Sequence, residues 1–145
     1  MELSIEQTLQ QGITAHKEGK IHDAERFYRA ILKCQPTHAD ANHQLGLLIS
    51  SVNKVGVAIP MFKLALEADP KNERFWFSYI DALIKEKQFD NASHMLEQAK
   101  SQNLDIEKLS DLELQLDSIT MSRGINFEAP SHQNINRLLE HYKNT

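Results

Sequence analysis

Seven histidines and one cysteine are the side chains of this chain best suited to hold a metal or attack an electrophile. The histidines are His16, His22, His38, His43, His94, His132 and His141. A helical zinc motif needs two histidines four residues apart beside a carboxylate, with a further ligand close by. No pair here meets that requirement. His38 and His43 come nearest, and they lack a third ligand. The lone Cys34 has no partner for an internal disulfide, and its plain reading is a small packing residue near a helix end. No glycine-rich phosphate loop, nucleophile elbow or CxxC motif occurs. The expectation is a chain with no catalytic residues, no metal site and no cofactor, acting through surface recognition.

The bulk numbers bound what that surface meets. At 145 residues, with 41% hydrophobic and 25% charged residues, the chain can build one globular domain with a real core. Five glycines and four prolines, with frequent Leu, Ala, Glu, Lys and Gln, favour helix over sheet. The formal charge is −4 and there is no block of Lys and Arg, which argues against a nucleic-acid partner. The apolar runs fall far short of the ~20 residues a membrane span needs. The opening "MELSIEQTLQ" is acidic and polar where a signal peptide is basic and then apolar. A cytoplasmic chain is the expectation.

The elements that must carry any site come from a repeat. Shifted by 34 residues, Gly12 meets Gly46, Ala24 meets Ala58, Tyr28 meets Phe62, Leu32 meets Leu66 and Pro36 meets Pro70. A second shift brings Ala58 to Ala92, Phe62 to Leu96 and Ala65 to Ala99. Three units follow, at about 5–38, 39–72 and 73–106, each read as two helices. The second helices carry apolar stripes at helical spacing, such as Ala24, Tyr28, Ile31 and Leu32. Turn-prone stretches "KEGKIHD", "SVNKVG" and "KEKQFDN" separate the helices of each unit. A glycine inside a helix costs about 1 kcal/mol relative to alanine, so Gly12 and Gly46 need a packing role. They are expected, with Ala24 and Ala58, to let paired helices approach closely, while the large side chains at 28 and 62 fill space toward the next unit. Pro60 must fall in the first turn of its helix or bend it.

This pattern resembles the tetratricopeptide repeat family over about 5–106. The resemblance implies an all-α, right-handed α-solenoid of three helix–turn–helix units with C-terminal capping helices. The chain departs from the family pattern at Thr8, Gln11 and Ala15 in unit 1. It departs again in unit 3, where Ile80 replaces a small residue and Leu104 replaces proline. The helices of unit 3 are therefore expected to spread, and its end to run differently.

Beyond unit 3, Ile106, Leu109, Leu112, Leu116 and Ile119 mark a capping helix over 107–121. A loop over 122–130 ends at Pro130. A last helix over 131–145 carries Ile135, Leu138, Leu139 and Tyr142, and looks like the first helix of a further, truncated repeat. The whole stretch also resembles the N-terminal region of large bacterial tetratricopeptide proteins. In those, more repeats and a glycosyl- or sulfotransferase-like domain follow.

In the family, the first helices line a concave groove. The resemblance assigns to it Glu6, Leu9, Gln10, Ile13, His16 and Lys17 from unit 1. From unit 2 it assigns Asp40, His43, Gln44, Leu47, Ser50 and Ser51. From unit 3 it assigns Arg74, Phe77, Ser78, Asp81, Ile84 and Lys85. Amides there can pair with a peptide backbone, and Leu9 and Phe77 can hold an apolar side chain. Members that clamp a chaperone tail carry Lys, Asn and Arg at set places. Here those places hold Leu9, Ile13, Gln44, Arg74 and Ser78, so the clamp is essentially absent. The asparagine ladder of protein-glycosylating members is replaced by Gln10, Gln44 and Ser78. The expected function is a non-catalytic module binding a protein or peptide. The alternatives are the substrate-recruiting arm of a larger transferase, and self-assembly into a homo-oligomer through the terminal helices.

Overall fold

Three polar side chains start three helices at the repeat period: Ser4, His38 and Asn72. Ser4 Oγ accepts from the Gln7 N–H at 3.1 Å, and Gln7 Oε1 accepts from the Ser4 N–H at 2.9 Å. This capping box begins α1, Ile5–Lys17. His38 Nδ1 accepts from the Ala41 N–H at 3.0 Å and begins α3, Ala39–Ser51. Asn72 Oδ1 accepts from the Arg74 N–H at 3.0 Å and begins α5, Glu73–Lys85. Each bond satisfies one of the donors that a helix start leaves open.

The ends of these helices repeat as well. Gly19, Asn53 and Lys87 all take positive φ, at 78°, 64° and 61°. The next residue then reaches back: Lys20 N–H to Ala15 O at 2.8 Å, Lys54 to Ile49 at 3.2 Å and Gln88 to Leu83 at 2.8 Å. This is the Schellman closure, which satisfies the last carbonyls and reverses the chain. The second helices start at once: α2, Ile21–Cys34; α4, Val55–Ala68; α6, Phe89–Lys100. The turns are therefore shorter than their sequence suggests, because Val55, Gly56 and Phe89 already belong to helix.

The structure, a computed structural model, describes residues 3–104 and 106–122. Those residues form seven helices and no strand, an all-α solenoid of helix–turn–helix pairs. The sequence assignments that lie beyond Ser122, the loop and the last helix, fall outside the described residues. No helix among those described is long and apolar enough to cross a membrane.

Inside each pair, one contact decides the spacing. A Cβ placed on Gly12 would stand 2.5 Å from Tyr28 Cε1, and one on Gly46 would stand 2.6 Å from Phe62 Cε1. Both rings are fully buried. The large side chains thus fill space over the glycine of their own unit, and Phe62 also reaches toward the next, where it shares a cavity wall with Phe77 and Ala82. In unit 3 the volumes are exchanged: the first helix carries Ile80 and the second carries Leu96, and both are buried. The α5–α6 pairing is sparser than α3–α4, as the bulkier residue on the first helix requires. Ala24, Ala58 and Ala92 have no exposed surface at all.

Side chains also tie each unit to the proline before it. Asn42 Nδ2 donates to Pro36 O at 3.1 Å, and Trp76 Nε1 donates to Pro70 O at 2.6 Å. Asn42 and Trp76 occupy the same place in their units, so two different residues perform one task. Pro60 sits in the second turn of α4, not the first, which leaves the Gly56 carbonyl without its helical donor. Cys34, expected to pack, is exposed at the end of α2. α6 stops at Lys100, where α2 and α4 run two residues further in register, and Asn103 turns the chain at φ 56°. α7, Ile106–Ser122, then lies against α5 and α6 with Leu109, Leu112 and Leu116 buried. Lys100 Nζ donates to Glu113 Oε1 at 2.7 Å across that seam.

Two outcomes follow for stability. Gly46→Ala gains about 1 kcal/mol of helix propensity but forces a buried ring to move, which costs about 1–3 kcal/mol. Chemical denaturation should show a net loss, and adding Phe62→Leu should recover part of it by copying unit 3. Lys87→Gly should stabilise by about 1 kcal/mol in the same assay, since a side chain at positive φ costs that much.

Candidate functional site

The first helices α1, α3 and α5 carry the residues assigned to recognition. Six of them, Leu47 and Ser50 on α3 and Phe77, Ser78, Asp81 and Lys85 on α5, come together around one cavity of about 120 Å3. Helical spacing explains the convergence: 81 lies one turn beyond 77 and 78 on α5, and Leu47 lines the same cavity from α3. Val55, Phe62 and Ala82 complete the lining. Lys85 Nζ pairs with Asp81 Oδ2 at 2.9 Å.

One residue of the lining, Ser50, is unusual. Ser50 Oγ is buried and has no hydrogen-bond partner. Its neighbour Ser51 is ordinary, with Oγ donating to Leu48 O at 2.6 Å. Among the described residues the other buried hydroxyl without a partner is that of Tyr28, which burial pushes up to a pKa of about 12. Larger clefts of about 450 and 400 Å3 lie between α2 and the α3–α4 turn and between α6 and α7, but neither is lined by such an atom.

The remaining assigned residues separate into three groups. Leu9 and Ile13 are half-buried against the core, and Gln44 is half-buried on α3. Lys17, Arg74, Glu6 and Asp40 are exposed. Gln10 is exposed and lines a different cavity, with Thr14 and Phe27.

Two assignments are corrected. Ile84 is 3% exposed and belongs to the core. His43 is 4% exposed and has no free surface to offer a ligand. Its Nε2 lies 2.7 Å from Ser78 Oγ, and its ring packs against Phe75 at 4.8 Å and Phe62 at 5.8 Å between centroids. It is a polar tie between α3 and α5 at the level of the cavity. Burial holds its imidazole down at about 4, with Arg74 lowering it further and Asp40 opposing. Sequence reasoning missed this role because a histidine at a groove position gives no sign of depth. Among the described residues, no three His, Cys, Asp or Glu side chains are grouped to hold a metal ion.

Comparison with known proteins agrees with this geometry. Residues 53–113 match the family model for the tetratricopeptide repeat. The fold is that of tetratricopeptide repeats. The Yersinia enterocolitica type III secretion translocator chaperone SycD superposes with a TM-score of 0.70 at 19% identity, over 85% of this chain and 90% of that one. The Sgt2 tetratricopeptide domain from Aspergillus fumigatus superposes with a TM-score of 0.72 at 15% identity, over 88% and 85%. The first such domain of Spaghetti (RPAP3), bound to the HSP90 peptide SRMEEVD, gives 0.70 at 13% identity, over 79% and 90%. No curated protein matches the chain.

The buried histidine makes stability pH-dependent. Its pKa is about 4 when folded, against an ordinary 6.5 when unfolded. Above pH 6.5 both states are neutral and the full stability is present. Between pH 6.5 and 4 the unfolded chain takes up a proton that the folded chain refuses, so stability falls, by up to about 3 kcal/mol. Urea unfolding at pH 7 and pH 4 should show the loss, and His43→Leu should remove that component. A histidine ring signal titrating near 6.5 in the folded chain would contradict the assignment.

Proposed function

We propose that this chain is a non-catalytic interaction module whose inner face, built from α1, α3 and α5, binds an extended peptide or protein segment. Its main support is the cavity between α3 and α5, where Leu47, Phe77, Ser78 and Asp81 converge from distant parts of the sequence. The chemistry suits a peptide. Half-buried Leu9, Leu47 and Phe77 offer apolar contact, while Gln10 and Gln44 offer both donors and acceptors to a backbone. Similar folds hold peptides: SycD has been captured with a peptide of the translocator YopD, at 19% identity to this chain.

A peptide taken from a random 12-residue library displayed on phage tests the reading. On titration, the NMR signals of Gln44, Leu47 and Phe77 should shift, and those of Arg26 and Arg29 on exposed α2 should not. Phe77→Ala should weaken the peptide about tenfold, the scale of one well-packed apolar contact. Shifts confined to α2 and α4, or affinity unchanged by Phe77→Ala, would overturn it.

A further inference from the structure

We infer that the cleft between α6 and α7 is the docking site of residues 131–145 of the same chain, which lie there as the second helix of a fourth pair. This stands apart from peptide binding on the inner face. It replaces the reading of that segment as a first helix, because α7 already fills the first-helix place.

The repeat locates the place. First helices begin at Ile5, Ala39 and Glu73, 34 residues apart, and α7 begins at Ile106, one residue short of the next step. On each of the first three, one position receives the second helix of its own pair. Gly12 lies under Tyr28, Gly46 lies under Phe62, and Ile80 is buried. The same position on α7 is Leu114, 34 residues after Ile80, and it is 67% exposed. Met121, two turns further along the same face, is 71% exposed. The described elements leave this face of α7 open.

Beside Leu114 opens a cleft of about 400 Å3, lined by Ser93, Leu96 and Glu97 of α6 and by Glu113, Leu116 and Asp117 of α7. One unit earlier, the places of Glu113 and Asp117 hold Tyr79 and Leu83, both buried on the helix that α6 packs against. One unit before that, they hold Leu45 and Ile49, buried on the helix that α4 packs against. The cleft is thus the space that a second helix takes in units 2 and 3. Leu96 and Leu116, both buried, form its floor.

The sequence of 131–145 fits that space. α2 packs by a stripe of Ala24, Tyr28, Ile31 and Leu32. Ser131, Ile135, Leu138 and Leu139 repeat the stripe at identical spacing, again with a small residue first. Ile135 then stands over Leu114, and the two together match the volume of Ile80 with Leu96 in unit 3. Reach is ample. The three turns within units 1 to 3 need only residues 18–20, 52–54 and 86–88, whereas 123–130 can span up to about 26 Å. Charge agrees as well. The rim carries Asp90, Glu97, Glu113 and Asp117, and Lys100 pairs with only two of them. Arg137 and Lys143 outnumber Glu140 in the segment, and Asn134 and Asn136 add donors.

Cysteine pairs in the intact chain, with exposed Cys34 replaced by Ser, provide the test. Leu114→Cys with Ile135→Cys should close into an intramolecular disulfide on mild oxidation, since the bond needs Cα atoms within about 7 Å and docking brings them there. Val57→Cys, exposed on α4, with Ile135→Cys should stay open. At about 5 μM protein, a pair within one chain outcompetes a pair between copies. In the chain without cysteine pairs, methyl NOEs should join Leu114 to Ile135 and Leu138. Leu138→Asp should speed amide exchange in α7 about tenfold or more and leave that of α3 unchanged. A disulfide that links two copies gives the cleft to a second molecule and overturns the proposal. So does an open 114–135 pair without methyl NOEs, and so does α7 exchange indifferent to Leu138→Asp.

Discussion

The contact between a glycine on the first helix and an aromatic ring on the second governs this structure. Gly12 under Tyr28 and Gly46 under Phe62 leave no room for even a methyl group. The glycine gives up about 1 kcal/mol of helix propensity. In return, a whole ring is buried where two helix backbones pass, a gain of about 1.5–3 kcal/mol. The outward faces of the pair remain apolar and must be covered by the next unit. The solenoid is the consequence: α3–α4 covers α1–α2, α5–α6 covers α3–α4, and α7 covers α5–α6.

That constraint also places the candidate site. Adjacent units pack mainly through the second helix of one and the first helix of the next, α2 on α3 and α4 on α5, and α3 and α5 meet where His43 reaches Ser78 and Phe75. Polar groups are buried among apolar ones there, and His43 resolves part of that conflict. It accepts burial between Phe62 and Phe75 by staying neutral and by bonding Ser78 across the contact. Ser50 is the part left unresolved, and it lies beside the cavity that Leu47, Phe77 and Asp81 share. The contact between α3 and α5 and the proposed recognition surface thus share side chains, Ser78 among them.

Much of this was legible in the sequence because the repeat forces identical backbone tasks onto positions 34 apart. The glycines, the alanines and the junction prolines announce the period, and with it the helix pairs. Other periodic tasks were not legible because different residue types perform them. Ser4, His38 and Asn72 all cap helices, and Gly19, Asn53 and Lys87 all turn left-handed. Asn42 and Trp76 both donate to a proline carbonyl. Residue identity is not preserved in these sets, only the ability to accept, to turn or to donate. Depth is the other quantity hidden from sequence. His43 and Cys34 were each assigned the wrong exposure, because spacing gives a helical face but not what packs on it.

Unit 3 shows that the constraint acts on volume, not on residue type. With Ile80 on the first helix, an aromatic ring on the second would be too large, and Leu96 is what fits. The cost is a sparser α5–α6 pairing, and the added compensation is α7, whose Leu109, Leu112 and Leu116 bury against that pair. Phe77 and Asp81 face α3 for a different reason: they lie one repeat on from His43 and Leu47 and take the same face of their helix.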